Sequence, residues 1–285
     1  MRMGLDVGDR HSVVPHKRES ASTSKGGLMQ ILTIASQKGG VGKTALALNL
    51  GWALARSGLR ALVVDVDPQS GLSRSVASQL VTRKGLHDVV QGDATWQQVI
   101  LPTRVEGFAL LPLGRVSPWE ASSFEATLVD GGPFLQLREA VSDDYDYLVI
   151  DTPAGLGDAT MGALRAADYV MSPLQAEPGA LRSATTLIET LGYLATHEHY
   201  APQFLGFILG MVNRGDHVSS AVVTEAWRTF PEDLLFDTTI PRHGAFLEAT
   251  SKGVPVGALG GDAKRIGMVF EQLVAEMHVR MGTQQ

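Results

Sequence analysis

The fold is decided by one short stretch of the sequence, Lys38-Gly39-Gly40-Val41-Gly42-Lys43-Thr44. The apolar run at residues 30–35 precedes this stretch and is typical of a buried strand, and residues 44–56 follow it with leucines at helical spacing. A glycine-rich turn between a strand and a helix lets backbone N–H groups point at phosphate oxygens, and the dipole of the helix N-terminus attracts negative charge. The stretch therefore predicts a phosphate-binding loop at the carboxyl end of the first strand.

The alternation of apolar runs and helical patterns continues along the rest of the chain. Further strands are expected at residues 60–64, 108–111, 147–150, 169–172, 204–212 and 235–240, and helices at 124–141, 181–196, 218–230 and 263–281. Continuous apolar strands that alternate with helices indicate a parallel sheet covered on both faces. We therefore predict an α/β fold over residues 29–285, a single doubly wound domain with a mostly parallel sheet flanked by helices. The polar residues 1–28 are expected to form a flexible N-terminal extension.

The composition is that of an ordinary globular protein, and it excludes several kinds of site. The 285 residues include no cysteine, so disulfides, zinc–thiolate sites and cysteine-bound iron–sulfur clusters are excluded. The formal net charge is −6, so any contact with DNA needs a local basic patch that works against the overall field. No apolar run approaches the roughly 18 to 20 residues that cross a bilayer. Residues 1–25 lack the apolar core of a signal peptide, so we expect neither a leader nor a membrane span.

Polar residues with the chemistry of a phosphate site fall at the carboxyl ends of the predicted strands. Asp65, Asp151 and Asn213 each follow an apolar run, as the glycine loop does, and ligands of parallel sheets bind at that edge. Lys43 can reach the terminal phosphates of a nucleotide, and the hydroxyl of Thr44 can ligate Mg²⁺. Together these positions favour a nucleotide site that uses magnesium.

Two other interpretations of the loop remain open at this level. The strict Walker pattern G-x-x-x-x-G-K-[ST] requires a glycine at position 37, where this chain has Gln37. The spacing Gly40-x-Gly42-x-x-Ala45, with Asp65 twenty residues further on, also satisfies the fingerprint of a Rossmann-type dinucleotide-binding enzyme. Lys43 and Thr44 favour phosphate and magnesium chemistry over that fingerprint. The remaining alternative is a tight glycine turn that binds no ligand.

The loop and several further motifs resemble those of the ParA/MinD family of ATPases. The loop is similar to the deviant Walker A box of that family, Val64-Asp65-Val66-Asp67-Pro68-Gln69 to its second box, and Tyr145-Asp146-Tyr147-Leu148-Val149-Ile150-Asp151-Thr152-Pro153 to its Walker B strand and switch. Two later motifs resemble the ParA (partition) branch more than MinD: Val170-Met171-Ser172-Pro173-Leu174-Gln175-Ala176-Glu177, and Ile240-Pro241-Arg242 followed by Glu248-Ala249. The resemblance runs from about residue 30 to residue 280 and implies a fold of the P-loop NTPase type.

The resemblance also implies roles for individual residues. The residues expected to bind ATP are Lys38, Gly39, Gly40, Val41, Gly42, Lys43, Thr44, Ala45, Asn213, Pro241 and Arg242. The residues expected to hold Mg²⁺ or its water shell are Thr44, Asp65 and Asp151. Lys43 is expected to bind the β and γ phosphates, and Asp67 to position or activate the attacking water. Lys38 is expected to reach across a dimer interface to the partner's phosphates, where a positive charge stabilises the transferred phosphoryl group as an arginine finger does.

Two departures from the family pattern bear on the rate of hydrolysis. Ala45 stands where ParA proteins usually carry a second threonine, so one hydroxyl to the phosphates is missing. The double proline that follows the Walker B aspartate in the family is Pro153–Ala154 here. Neither change removes a metal ligand or a charge, and we therefore expect an active but slow ATPase.

For the ParA branch, the resemblance implies an ATP-dependent homodimer that binds DNA without sequence preference. A ParB-like stimulator protein releases it by promoting hydrolysis, and the cargo is a plasmid, a chromosome or a protein assembly. The basic residues expected to bind DNA are Arg214, Arg242 and Lys252, with Lys264 and Arg265 as further candidates. Phosphate contacts need only lysine or arginine on one face. The expected location is the cytoplasm, in association with the nucleoid.

The alternative within the family is a MinD-like positioning ATPase that acts on a membrane or a protein scaffold. Such proteins bind membrane through a C-terminal amphipathic helix, which needs a strongly basic polar face. The predicted helix 263–281 mixes Lys264, Arg265 and Arg280 with Glu271 and Glu276. We therefore expect this helix to pack on the core and do not expect membrane binding.

Overall fold

The computed structural model describes residues 29–69, 72, 83–177, 180–213 and 215–282. The strands of this part of the chain are β1 Gln30–Ile34, β2 Ala61–Asp65, β3 Leu101–Pro102, β4 Phe108–Leu111, β5 Tyr147–Asp151, β6 Tyr169–Gln175 and β7 Gln203–Gly210. They form one sheet in the order β3-β4-β2-β5-β1-β6-β7. Neighbouring strands are parallel, apart from the short edge strand β3, which pairs antiparallel with β4. The predicted flexible extension, residues 1–28, lies outside the described residues.

Helices follow the strands and are numbered here in chain order. They are α1 Lys43–Arg56, α2 Leu86–Val90, α3 Trp96–Val99, α4 Ala121–Leu128, α5 Gly132–Val141, α6 Asp158–Ala166, α7 Ala180–His197, α8 His217–Thr229, α9 Ala245–Lys252 and α10 Ala263–Arg280. Two short 3₁₀ turns lie at Glu232–Leu234 and Val256–Ala258.

The sheet is buried on both faces, as its continuous apolar strands require. In β2, Leu62 and Val64 point into one hydrophobic cluster and Ala61 and Val63 into the other, because successive side chains alternate across a strand. Side chains of α4, α5, α6 and α7 fill the first cluster, and those of α1, α9 and α10 fill the second. This arrangement confirms the predicted doubly wound α/β fold.

The strand order places the glycine loop, which follows β1, beside the carboxyl end of β5, which is the strand that resembles the Walker B motif. Strand β1 lies between β5 and β6, and β2 lies on the far side of β5. The Rossmann order instead pairs the first strand directly with the second. The topology therefore argues against the dinucleotide alternative, and it brings the carboxyl end of β5 next to the glycine loop.

The single helix predicted at residues 124–141 is wrong, because two helices occupy this segment. Helix α4 begins earlier, at Ala121, and α5 begins at Gly132. Between them Gly131 adopts a left-handed φ of 79°, and Pro133 occupies the first turn of α5. A left-handed residue ends a helix, and a proline within a helix is tolerated only in the first turn. The helix is therefore interrupted here, even though the apolar spacing continues.

The strand predicted at residues 235–240 is also wrong. The region forms two isolated bridges, Phe207 to Leu235 and Val212 to Pro241, and a few separate backbone hydrogen bonds to β7, but no continuous ladder. The carboxylate of Glu276 accepts hydrogen bonds from the backbone N–H groups of Asp237 (2.8 Å) and Thr238 (3.0 Å). A side chain of α10 therefore binds backbone N–H groups that would otherwise be available for hydrogen bonds in a regular β ladder.

Arg280, one turn further along α10, fixes the same region from its carbonyl side. Its guanidinium donates to the carbonyl oxygens of Leu205 (3.1 Å), Asp233 (2.6 Å) and Leu235, and it lies over the ring of Phe236. Helix α10 is thus an integral part of the fold, and its Phe270 and Leu273 are buried, which confirms the expected packing. None of the described helices combines the length and apolar character needed to cross a membrane.

The sequence patterns missed several elements. These are the short helices α2 and α3, the edge strand β3, α6 after the Walker B strand, and α9. Strand β6 also runs on through Pro173 to Gln175 instead of ending at residue 172.

Candidate nucleotide site

The glycine loop joins β1 to α1 in a backbone conformation that suits glycine at two positions. Gly40 and Gly42 have φ angles of 73° and 94°, in the left-handed region that other residues rarely adopt. Gly42 caps α1, and within the described chain this helix has neither a side-chain cap nor an acidic residue in its first turn. The N–H groups of the first turn are therefore available to an anion.

Lys43, the first residue of α1, points into the protein. Only 7% of the surface of Lys43 is exposed to solvent. Burial lowers the pKa of this ammonium group, and the nearby carboxylates of Asp151 and Asp67 partly oppose that shift. A cation held in this way at the base of the loop is placed to bind phosphate oxygens.

Two buried carboxylates lie beside the loop. Asp65 ends β2 and Asp151 ends β5, and the two are direct neighbours in the register of these parallel strands. Both residues are fully buried. Burial raises the pKa of Asp151 well above its usual range, and the negative charge of Asp65 raises it further. Asp65 accepts a hydrogen bond from the backbone N–H of Asp67 at 3.2 Å.

The Asp151 carboxylate has the features of a magnesium site. Neither of its oxygens makes a hydrogen bond of normal geometry with any described residue, although the hydroxyl of Thr44 lies near enough to lower its pKa somewhat. An unpaired buried carboxylate is costly, and Mg²⁺ in nucleotide sites uses one or two carboxylates together with phosphates and water. Thr44, Asp65 and Asp151 therefore fit a hydrated magnesium ion.

Asp67 lies at the mouth of the same site. It is half-buried, and its Oδ1 accepts the N–H of Gln69 at 2.8 Å, which fixes the turn after β2. The segment after β5 is tied to the loop from the other side, because Thr152 donates to the carbonyl oxygen of Ile34 (2.8 Å) and the N–H of Gly155 to that of Ser36 (3.2 Å). Lys43, Thr44, Asp65, Asp67 and Asp151 are thus brought together around one point.

Lys38 behaves differently from Lys43. Its Nζ lies 3.9 Å from Oε2 of Glu177, and the two side chains are 39% and 46% exposed. The structure therefore places Lys38 at the surface above the site. Glu177 is a neighbour that sequence reasoning did not assign to the site, since it lies beyond the end of β6 and only the fold brings it close.

A cleft of about 450 Å³ adjoins the glycine loop on the side of β7. It is lined mainly by apolar residues, namely Val41, Gly42, Ala45, Leu46, Pro173, Gly210, Met211, Ile240, Pro241, Arg242, His243, Gly244, Phe246, Leu247 and Phe270. The volume lies within the range of small-molecule sites. The cleft brings together Ala45, Pro241 and Arg242, three of the residues predicted to bind ATP.

Asn213, one of the residues expected to bind ATP, does not line this cleft. Its side chain is exposed, and its Oδ1 accepts the N–H of Gly215 at 3.2 Å. Met211 lines the cleft instead, with a left-handed φ of 55°. Sequence reasoning missed Met211, because the strand predicted at residues 204–212 runs through it, whereas β7 ends at Gly210.

The basic residues expected to bind DNA are not gathered at one place. Arg242 is exposed at the edge of the cleft, whereas Lys264 lines a separate groove with Arg56 and Arg104. Lys252 is exposed but forms an ion pair of 2.6 Å with Glu248 one turn earlier. Arg265 is exposed near the start of α10, and Arg214 lies outside the described residues.

Comparison with known proteins identifies the family. Residues 29–203 match the family model described as an AAA domain. The chain is 32% identical over 228 residues to the sporulation initiation inhibitor protein Soj of Bacillus subtilis, covering 80% of this chain and 90% of Soj. It is 34% identical over 235 residues to the chromosome partitioning protein ParA of Caulobacter vibrioides, covering 80% of this chain and 86% of that protein.

A solved structure agrees with the sequence matches. The septum site-determining protein MinD from Pyrococcus horikoshii, solved with Mg-ADP, superimposes with a TM-score of 0.66 at 25% identity, covering 88% of this chain and 98% of MinD. The glycine loop, the paired carboxylates and these relatives lead to one assignment. The chain belongs to the ParA/MinD family of magnesium-dependent ATPases, with Soj and ParA among its relatives.

Proposed function

We propose that this chain is a ParA-like partition ATPase, which hydrolyses ATP to ADP and phosphate at the site formed by the glycine loop and the ends of β2 and β5. The observation that carries the proposal is the buried, unpaired carboxylate of Asp151 beside Lys43 and Thr44. Two relatives named for chromosome partitioning, in Caulobacter vibrioides and Treponema pallidum, support the partition role.

Each residue of the site has a distinct task in this reaction. Lys43 and the N–H groups of the α1 N-terminus bind the phosphates, and Asp67 positions the water that attacks the γ-phosphorus. Thr44, Asp65 and Asp151 hold magnesium, which neutralises charge on the phosphate oxygens when it is bound. The bond between the β,γ-bridging oxygen and the γ-phosphorus breaks, and ADP leaves with that oxygen.

The activity is tested by measuring phosphate release from MgATP. We expect slow turnover that requires Mg²⁺ and that Asp67→Ala abolishes while ATP binding persists. A chain that binds NAD but not ATP would refute the assignment. So would turnover that is unchanged in Asp67→Ala, because the water would then be positioned by another group.

Lys38 completes the site of a second copy in an ATP-dependent homodimer. Two features support this role. Lys38 lies at the surface, and its one ion pair within the described chain, with the half-exposed Glu177, is of the kind that contributes at most about 1 kcal/mol. It is therefore free to exchange this contact for a partner's phosphates.

Light scattering after size-exclusion chromatography tests the dimer. With a slowly hydrolysed ATP analogue and Mg²⁺, we expect a dimer for the natural chain and a monomer for Lys38→Ala, with ATP binding retained in both. Lys84→Ala is a matched control, since Lys84 is an exposed lysine whose Nζ contacts a backbone carbonyl. Normal ATP-dependent dimerisation of the Lys38→Ala variant would refute the proposal that Lys38 contacts the phosphates bound by the partner.

The dimer binds DNA through phosphate contacts and thereby associates with the nucleoid in the cytoplasm. A ParB-like partner stimulates hydrolysis and releases it. Arg242 is exposed and lines the nucleotide cleft, which supports a role for it in linking the two activities. Removing it together with Arg214 should weaken binding to all sequences and flatten the salt dependence by about one unit per lost contact.

Arg228→Ala is the control for the DNA experiment, because Arg228 is an exposed arginine on α8, away from the cleft. Unchanged affinity in the double variant would move the DNA site elsewhere. ATP-dependent sedimentation with liposomes in place of DNA binding would favour the MinD-like alternative.

A further inference from the structure

The last turn of α10 carries a buried histidine that the nucleotide site does not use. His278 is only 9% exposed, and its Nε2 lies 3.0 Å from the hydroxyl of Tyr147, the first residue of β5. Tyr147 is buried as well, and the sulfur of Met281 lies 4.0 Å from the same hydroxyl. This contact is where the end of α10 packs on the sheet.

The neighbouring elements bring titratable and charged groups to this end of α10. They are the phenol of Tyr169 on β6 and three ion pairs, namely Arg60–Asp146 (2.7 Å), Arg56–Glu271 (4.0 Å) and Arg280–Glu276 (3.1 Å). Within the described residues, the effect that dominates at His278 is burial, which lowers its pKa below the ordinary value of 6.5. A buried imidazolium is therefore disfavoured at this position.

The sign of the pH effect follows from this lowered pKa. The end of α10 is most stable above the ordinary value, loses stability as the pH falls below it, and has lost the full amount below the pKa of the folded protein. At pH 5.5 the imidazole of an opened helix end is about 90% protonated, because it is then exposed to water. Relative to pH 7.5, opening is favoured by up to about tenfold.

The same end of α10 holds the segment that precedes one wall of the cleft. The carboxylate of Glu276 accepts the N–H groups of Asp237 (2.8 Å) and Thr238 (3.0 Å), and the guanidinium of Arg280 donates to two carbonyl oxygens of the same segment. Pro241 of the cleft follows directly. When the end of α10 opens, residues 233–238 lose these hydrogen bonds.

We propose that His278 is a pH-sensitive switch, which keeps the end of α10 packed on the sheet at neutral pH and frees residues 233–238 from it under mildly acidic conditions. Histidine suits this task because its charge changes in the physiological range of pH. The inference rests on the packing of α10 and is independent of the nucleotide site, so it goes beyond the proposed function and stands or falls separately from it.

Amide hydrogen exchange at pH 7.5 and pH 5.5 tests the switch. After correction for the intrinsic exchange rates, the protection factors of the Asp237 and Thr238 amides should fall several-fold at the lower pH, up to about tenfold. His278→Gln keeps a polar side chain that is not protonated in this range, so its fall should stay below about twofold. The Val256 amide, which donates to Asn49 at 2.7 Å near the start of α10, should keep its protection.

His197→Gln is the matched control, because His197 is an exposed histidine on α7, and this variant should respond as the natural chain does. Proton NMR of the imidazole in the natural chain adds a measurement that does not depend on a variant. His278 should titrate below pH 6.5, in step with the loss of protection. Titration at or above that value, an equal response in His278→Gln, an equal loss at Val256, or a response removed by His197→Gln would each overturn the switch.

Discussion

Asp151→Asn replaces the buried carboxylate at the end of β5 by an amide of nearly the same shape. In the natural chain this carboxylate is fully buried, stands beside Asp65, and has no hydrogen bond of normal geometry within the described residues. We expect the substitution to abolish magnesium-dependent turnover and, at the same time, to stabilise the nucleotide-free protein. Both effects have the same cause. The buried Asp151 carboxylate is needed to bind Mg²⁺, and it destabilises the folded protein when no Mg²⁺ is bound.

The magnitude follows from the burial of the charge. An unsatisfied buried polar group costs about 1–3 kcal/mol, and more when it is charged. The lost attraction between Asp151 and Lys43 offsets part of the gain, although the raised pKa of Asp151 indicates that the burial of its charge outweighs this attraction. We therefore expect a net gain of about 1–2 kcal/mol, or roughly 2–8 °C in Tm for a chain of this size.

The pH dependence of stability gives the sign of the Asp151→Asn effect independently. The pKa of Asp151 in the folded protein is raised above its ordinary value of 3.8, so the folded state disfavours the ionised form. The destabilisation caused by the ionised Asp151 is absent when the pH is below the ordinary pKa of an aspartate. It grows as the pH rises toward the pKa of Asp151 in the folded protein, and it reaches its full size above that pKa. The difference in Tm between variant and natural protein should therefore be larger at neutral pH than at acidic pH.

Thermal unfolding followed by circular dichroism measures these differences, with and without MgATP. Saturating MgATP should raise the Tm of the natural protein more than that of the variant, because ligand binding to the folded state adds stability. Asp146→Asn is a control with the opposite sign. Asp146 lies just before β5 and accepts hydrogen bonds from Arg60, which hold the pKa of its carboxyl below the usual range, so its loss should destabilise the protein by about 1 kcal/mol. A nucleotide-free Asp151→Asn protein less stable than the natural one at neutral pH would refute the reasoning.

Two further predictions concern turnover and packing. Ala45→Thr supplies the hydroxyl that the family usually carries, and we expect faster phosphate release at saturating MgATP; an unchanged or lower rate would mean that this hydroxyl has no part in the reaction. Gly162→Ala on α6 would place a Cβ 1.8 Å from the carbonyl oxygen of Leu128, so urea unfolding should show a loss of about 2–3 kcal/mol. Gly192→Ala on α7 meets no atom within 4 Å and should gain up to about 1 kcal/mol; the reverse order of these two glycine variants would contradict the packing described here.

The glycine loop and its flanking elements were predictable because two independent signals agree there. Apolar periodicity indicates β1 and α1, and the chemistry of Gly40, Gly42 and Lys43 indicates what lies between them. The contact between Asp65 and Asp151 was predictable only as a shared sheet edge. Their direct pairing depends on β2 and β5 being neighbours, which sequence spacing does not determine.

Local patterns failed where distant residues or backbone geometry decide the outcome. Residues 235–240 have the composition of a strand, but Glu276 and Arg280, some forty residues later in the chain, bind the N–H groups of Asp237 and Thr238 and the carbonyl oxygen of Leu235. Asn213 was expected to bind ATP because it follows an apolar run that predicts a strand end. The left-handed turn at Met211 decides instead which side chain enters the cleft, and a conformation of that kind at a non-glycine residue leaves no trace in composition or periodicity.

The contacts of Arg280 and Glu276 have a practical consequence for live-cell imaging. A fluorescent protein attached behind Gly282 leaves both residues in place. A shorter fusion that replaces residues 276–280 at the end of α10 removes the hydrogen bonds that hold residues 233–238, and the Pro241 wall of the cleft follows that segment directly. A diffuse signal from the shortened fusion would then report a damaged nucleotide cleft, and microscopy of this protein should rely on labels that preserve the final helical turn.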